Sequence, residues 1–291
     1  MSEQYRPWRS ALYIPGDKDR ALEKARGLPT DAILFDLEDA VAQGSKEAAR
    51  ETLTKALIAG GYGLRACIVR INDFGTEWGA SDLDVVARAG PEAILLPKVG
   101  DASDIEDLAR RLDAIPEAAD TRIWAMMETP DGVLNAARIA TAPRMAGIVM
   151  GTNDLAKDLR VMAGADRAEL SVALQTSVIA ARAAGLVILD GVYNAFKDTD
   201  GLARECAQGR AMGFDGKSLI HPAQLDTANR IFAPTETEVD LARRQIAAYE
   251  AALAEGAGVA VVDGKIVENL HIETAKRVLA QVEAIATMEP A

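Results

Sequence analysis

Eight times between Ala11 and Ile220 a short apolar run gives way to a polar stretch with helical spacing. The runs cover residues 11–14, 32–36, 66–71, 93–96, 122–127, 147–150, 186–189 and 216–220. Near-continuous Val/Ile/Leu runs are what parallel strands buried on both faces require, and parallel neighbours need a crossover, usually a helix. Eight βα units close most naturally into a ring, so the expected fold class is α/β, a (β/α)8 TIM barrel. The runs end in polar clusters: Asp36-Leu37-Glu38-Asp39, Arg70-Ile71-Asn72, Pro97-Lys98, Glu128-Thr129, Gly151-Thr152-Asn153-Asp154 and Leu189-Asp190-Gly191. Barrel enzymes keep their chemistry at that end of their strands.

A barrel takes about 250 residues, and the chain has 291. Residues 1–233 are assigned to it and 234–291 to a C-terminal α/β extension: a long helix opened by Thr235 to Glu238, a hairpin turning at Asp263-Gly264, and a last helix. This tail either covers a face or reaches a neighbouring subunit. A net charge of −12 argues against nucleic acid or an anionic membrane as partner, but not against a local anion site. Cys67 and Cys206 lack metal-ligand spacing and read as buried apolar residues of a reducing compartment. With no leader and no apolar run of transmembrane length, the expectation is a soluble cytoplasmic protein without membrane partners.

Glu128 and Asp154 are placed at the ends of strands five and six. Adjacent strands lie about 4.8 Å apart, so their carboxylates can converge on one cation, and two carboxylates plus water and substrate oxygens is a common Mg²⁺ arrangement. Helix capping is the other reading of the same two residues. Arg70, ending a buried strand, needs an anionic partner, either a substrate oxygen or a structural carboxylate from the Asp36, Glu38 and Asp39 cluster. Lys18, Arg20 and Lys24 lie on the first helix, which Asp17 is expected to cap; they form either a phosphate site or a solvated basic face. Lys98 fits a salt bridge better than a Schiff base, because nothing near it argues for a lowered pKa. His221, before Pro222, reads as a helix-start hydrogen bonder.

The clusters named above, with Asp215-Gly216-Lys217-Ser218-Leu219-Ile220-His221-Pro222 and Phe232-Ala233-Pro234-Thr235, resemble the citrate lyase β-subunit-like (HpcH/HpaI aldolase) family across nearly the whole chain. Residues 190–196 and 265–271 point to its malyl-CoA branch. The resemblance implies a homotrimeric or hexameric enzyme using Mg²⁺, with Mn²⁺ as a substitute, on a CoA thioester. It implies Glu128 and Asp154 as metal ligands, with Glu128 also catalytic, and Arg70 on the acyl oxygens. Tyr13, Lys18 and Lys24 fall on CoA contacts, and Asn153, Ile220 and His221 on substrate-lining positions. In that family the tail delivers an acidic residue to a neighbour's active site; the lyases carry Asp there, and the matching residue in this chain is Glu268. One added methylene moves a carboxylate by about 1 Å, a shift that can cost roughly a hundredfold in demanding chemistry. Glu268 therefore suits activation of water at a thioester carbonyl. The expectation is hydrolysis of (3S)-malyl-CoA to malate and CoA, with C–C cleavage to acetyl-CoA (or propionyl-CoA) and glyoxylate or pyruvate as the alternative.

Overall fold

The computed structural model describes residues 6–288. Eight parallel strands close a barrel in sequence order. They are β1 (Ser10–Pro15), β2 (Ala32–Asp36), β3 (Ala66–Arg70), β4 (Ala93–Leu96), β5 (Arg122–Met127), β6 (Met145–Met150), β7 (Val187–Asp190) and β8 (Gly216–Leu219). Between them run α1 (Asp19–Ala25), α2 (Lys46–Ala59), α3 (Gly79–Val86), α4 (Ala102–Asp113), α5 (Pro130–Leu134) and α6 (Ala136–Ala140). Then follow α7 (Thr152–Leu159), α8 (Ser171–Ala183) and α9 (Thr199–Met212), with α10 (Leu225–Phe232) after β8. The fold is the (β/α)8 TIM barrel that the alternation of runs called for.

Side-chain alternation along the strands sorts the core. Ala11, Leu34, Ile68, Leu95, Trp124 and Met126 point inward and pack together. Leu12, Ile33, Phe35, Val69 and Ile94 point outward against the helix layer. The helices bury the matching stripes: α4 is started by an Asp101/Asp104 capping box and presents Ile105, Leu108 and Leu112 to the sheet. Trp8 packs against Trp124 inside the barrel, with ring centroids 5.0 Å apart and planes tilted by 46°.

One local expectation changes, and two further features are new in the structure. Asp17 does not cap α1; the N-cap is Lys18, and Asp17 instead accepts from the Lys18 ammonium at 2.7 Å. The helix after β5 is broken at Asn135, whose backbone (φ −99°, ψ 8°) leaves the helical region. Directly after β6 stands a short helix, α7, which ends on Arg160 in the left-handed conformation (φ 58°). A helix of eight residues closed without glycine gives little periodic signal and no stop signal.

The described residues divide into two compact units, Trp8–Phe232 and residues 233–288 with 6–7. In the second unit, α11 (Glu236–Ala254) is opened by a Thr235/Glu238 capping box. The hairpin β9 (Ala260–Val262) and β10 (Lys265–Val267) turns through Asp263 and Gly264, both at positive φ, and α12 (Asn269–Met288) follows. Ala260, Val262, Val267 and Ile272 form its own small core. Among the described residues no helix is long and apolar enough to cross a membrane.

Candidate active site

The inward-facing parity of the strands, carried to their carboxyl ends, brings Tyr13, Asp36, Arg70 and Glu128 to the barrel mouth. They line a cavity of about 280 Å³ with Met126, Asn153, Asp154, Asn194 and Ile220.

Arg70 is buried and held by β2. Its Nε donates to Asp36 Oδ1 at 2.7 Å and its Nη2 to Asp36 Oδ2 at 2.6 Å, while the Tyr13 ring lies 4.8 Å beneath the guanidinium. Asp36 also caps its own loop, accepting from the main-chain N–H of Glu38 and Ala40. The structural partner foreseen for Arg70 is thus present, and the third nitrogen, Nη1, is turned toward Glu38 (2.8 Å) and Asp39 (3.3 Å). Glu38 Oε2 sits close enough for ion pairing but has no hydrogen bond among the described residues. Burial pushes the Glu38 carboxyl up to about 8 against the pull of Arg70. Burial likewise raises the Tyr13 hydroxyl, which donates to Met126 Sδ at 3.4 Å.

Across the cavity Glu128 follows the last residue of β5 and is buried. Burial raises its pKa, against the Lys98 ammonium. Asp154 is not a strand-end residue as expected; it stands four residues beyond β6, in the first turn of α7. Gly151 makes the approach possible: a Cβ there would collide with the Glu128 side chain. Lys98 joins the two carboxylates. Its main-chain N–H donates to Glu128 Oε1 at 2.8 Å; its ammonium lies 3.4 Å from the same oxygen and donates to Asp154 Oδ2. The salt bridge read for Lys98 is therefore present, but within the mouth.

The remaining predicted residues do not all share the cavity. Asn153 lines the cavity and exchanges two side-chain hydrogen bonds with Asn194, which the sequence reading did not single out although it closes the polar cluster after β7. Ile220 is exposed at the mouth. His221 accepts from Ala223 N–H through Nδ1, the helix-start role read for it, and stacks on Phe196 at 4.6 Å. Lys18 and Lys24 are exposed on α1 and do not line the cavity. Glu268 is exposed in the second unit, where its carbonyl accepts from His271 N–H at the start of α12. Asp190, counted among the mouth clusters, points the other way: it lies on the outward parity of β7 and accepts from Lys217 and Arg167 in the wall.

No group of three or more His, Cys, Asp or Glu that could hold a metal exists among the described residues. The Glu128/Asp154 pair nevertheless suits a hard divalent cation: two carboxylates already converge on one ammonium, and an ion with two protein ligands completes its shell with water and substrate oxygens.

A closed barrel whose carboxyl mouth gathers carboxylates, an ammonium and a guanidinium around one small cavity is a barrel enzyme built for a small anionic substrate. The chain belongs to the HpcH/HpaI aldolase/citrate lyase family, whose sequence profile matches residues 9–222. It is 58% identical over 286 residues to a (3S)-malyl-CoA thioesterase of Cereibacter sphaeroides (strain ATCC 17025 / ATH 2.4.3), covering 98% of each chain. It is 38% identical to the citrate lyase subunit beta of Escherichia coli (strain K12), covering 94% of this chain and 93% of that one. Among solved structures, protein CitE of Mycobacterium tuberculosis in complex with magnesium, acetoacetate and coenzyme A superposes with a TM-score of 0.79 at 29% identity, covering 96% of this chain and 98% of that one.

Proposed function

We propose that this enzyme hydrolyses (3S)-malyl-CoA to (S)-malate and free CoA with the help of Mg²⁺. The observation that carries the reading is the full-length likeness, near three residues in five, to curated (3S)-malyl-CoA thioesterases. The likeness to a solved relative complexed with magnesium and coenzyme A supports the cofactor and the thioester class of substrate.

Glu128 and Asp154 would hold the ion, which when bound supplies Lewis-acid polarisation of substrate oxygens. Arg70, locked in orientation by Asp36 and with Nη1 turned toward Glu38 and Asp39, stabilises negative charge as it develops on the acyl oxygen. Because Asp36 prevents the guanidinium from reorienting, little rearrangement is needed at the moment of reaction. Tyr13, expected on a CoA contact, lines the cavity beneath Arg70 and walls the acyl end with Ile220, and Asn153 donates to it through its side-chain amide. His221 borders it beside Ile220. Lys18 and Lys24, outside the cavity, serve the phosphates of CoA.

Glu268 is the proposed general base for water, delivered from the second unit of a neighbouring copy in a homotrimer or hexamer. Support comes from the hairpin beside it: Val261 and Ile266 are a directly opposed cross-strand pair, 66% and 61% exposed, on the face away from the small core. An apolar pair so exposed is suited to cover by another chain.

The deciding experiment incubates the purified protein with malyl-CoA and Mg²⁺ and separates CoA, malate, acetyl-CoA and glyoxylate. Free CoA and malate in equal amounts are expected. Faster formation of acetyl-CoA and glyoxylate would replace hydrolysis with cleavage, the second reading, which the likeness to citrate lyase subunit beta favours. Glu268→Gln should abolish CoA release while binding persists. Mixing it with Arg70→Ala protomers should restore part of the activity in hybrid oligomers. No recovery despite proven subunit exchange would remove Glu268 from a shared site.

A further inference from the structure

Lys98 is a fixed cation set between the two carboxylates proposed to hold a metal, and the mechanism above gives it no task. Its backbone occupies the left-handed region at φ 55°, an uncommon conformation for a residue with a side chain, and one that clusters at functional sites. That conformation directs both donors of one residue to the same place: the main-chain N–H to Glu128 Oε1, and the ammonium to Glu128 Oε1 and Asp154 Oδ2. One oxygen of each carboxylate is taken by these contacts. Among the described residues, Glu128 Oε2 and Asp154 Oδ1 are left for another partner.

The charges matter more than the orientation. Two carboxylates with one ammonium carry a single net negative charge, while the nearby Arg70 is offset by its two-point pair with Asp36. A divalent ion turns the group net positive, and the carboxylate of a hydroxy-acid substrate returns it to neutral. Without the ammonium the two carboxylates alone would neutralise the ion.

We infer that Lys98 holds back metal binding to the free enzyme and strengthens binding of the anionic substrate, so that metal and substrate are retained together. The inference rests on the metal site of the function proposed above. Repulsion between a unit charge and a divalent one inside a part-buried cavity is larger than the orientation lost on removing the side chain. Glu128 keeps its main-chain donor in any Lys98 variant, and Asp154 stays fixed on α7.

The test is Mn²⁺ binding, followed by electron paramagnetic resonance of the free ion and by calorimetry, with and without malate. Lys98→Met should bind Mn²⁺ alone about tenfold or more tighter than wild type, and should bind malate more weakly once metal-loaded. Lys98→Gln should behave as Lys98→Met does, and Lys98→Arg, which keeps the charge, should stay near wild type. Circular dichroism and melting confirm that each variant is folded. If the wild type binds Mn²⁺ and Glu128→Gln loses it, while both neutral variants bind Mn²⁺ no more tightly, the Lys98 inference is overturned and the metal site stands. If the wild type binds no Mn²⁺, or Glu128→Gln leaves binding unchanged, the metal site itself falls and the inference with it.

Discussion

At the barrel mouth Arg70 is gripped by Asp36 and has a third nitrogen facing Glu38 and Asp39; in the barrel wall Lys217 is gripped by Asp190 at 3.0 Å and Glu205 at 2.7 Å. Both cations are buried and both are held by carboxylates. They differ in what surrounds the carboxylates. Asp190 accepts from Lys217, Arg167 and its neighbour Gly191. Although burial pushes its pKa upward, Lys217 and Arg167 bring it below the ordinary range. At the mouth Glu38 pairs by charge alone, and burial wins. Outward strand positions are sealed against helices and their charges must be completed by protein groups. Inward positions at the carboxyl end open on a cavity, so their charges can be left for a ligand to complete.

The largest effect expected from this contrast is on stability. Lys217→Met leaves Asp190 and Glu205 buried beside Arg167 with one cation fewer, and breaking a buried pair costs about 3–5 kcal/mol. Denaturant titration should show that loss while the molecules that remain folded keep their turnover. Lost turnover at unchanged stability would move Lys217 from the wall to the chemistry.

The reverse pattern is expected at the mouth. Glu128→Gln and Asp154→Asn keep volume and remove charge, so melting should barely move. Activity should fall on the order of a thousandfold, the rate equivalent of about 4 kcal/mol, and excess chelator should reproduce the loss in the wild type. Full activity in chelator or in both variants would contradict the metal assignment.

A smaller effect separates the two clusters by pH. The Glu38 carboxyl is raised from 4.5 to about 8 in the folded chain, so between those values the folded state binds more protons than the unfolded one. Its contribution is complete below 4.5 and is lost as pH climbs toward 8, with a slope of at most about 1.4 kcal/mol per pH unit. Glu38→Gln removes that slope. Relative to wild type the variant should gain about 1–2 kcal/mol on going from pH 5 to pH 8, since Arg70 and solvent at the mouth trim the burial cost. Parallel stability curves for the two proteins would show that Glu38 titrates normally.

The barrel and the inward residues were legible because strand parity is a period of two that survives in the letters: Tyr13, Asp36 and Arg70 continue the apolar positions that fill the interior. The same count shows why Asp190 was misplaced. Val187 and Leu189 belong to the inner layer, which puts Asp190 outside, yet a polar strand end looks alike whichever way it faces. Asp154 was found but set on the wrong element, because α7 is too short to show a helical period. The double contact of Lys98 depends on a left-handed backbone that no pattern of residue types around Pro97-Lys98 announces.

The smallest effect belongs to cations that are neither sealed nor aimed into the cavity. The Lys18 side chain is 62% exposed and, among the described residues, paired only with Asp17, and Lys24 is exposed further along the same helix. Solvent-exposed pairs are worth about 0–1 kcal/mol each. If these lysines meet the phosphates of CoA, that contact is the same in substrate and transition state, so it lowers KM without raising kcat. Lys18→Ala and Lys24→Ala should each raise KM for malyl-CoA by about two- to fivefold. The double variant should multiply the two effects, and kcat should stay unchanged. Added salt should erase the difference, because screening reaches exposed charges and leaves buried ones such as Arg70 almost untouched. An unchanged KM in the double variant would return both lysines to a solvated helix face. A fall in kcat would place them where only the mouth residues belong.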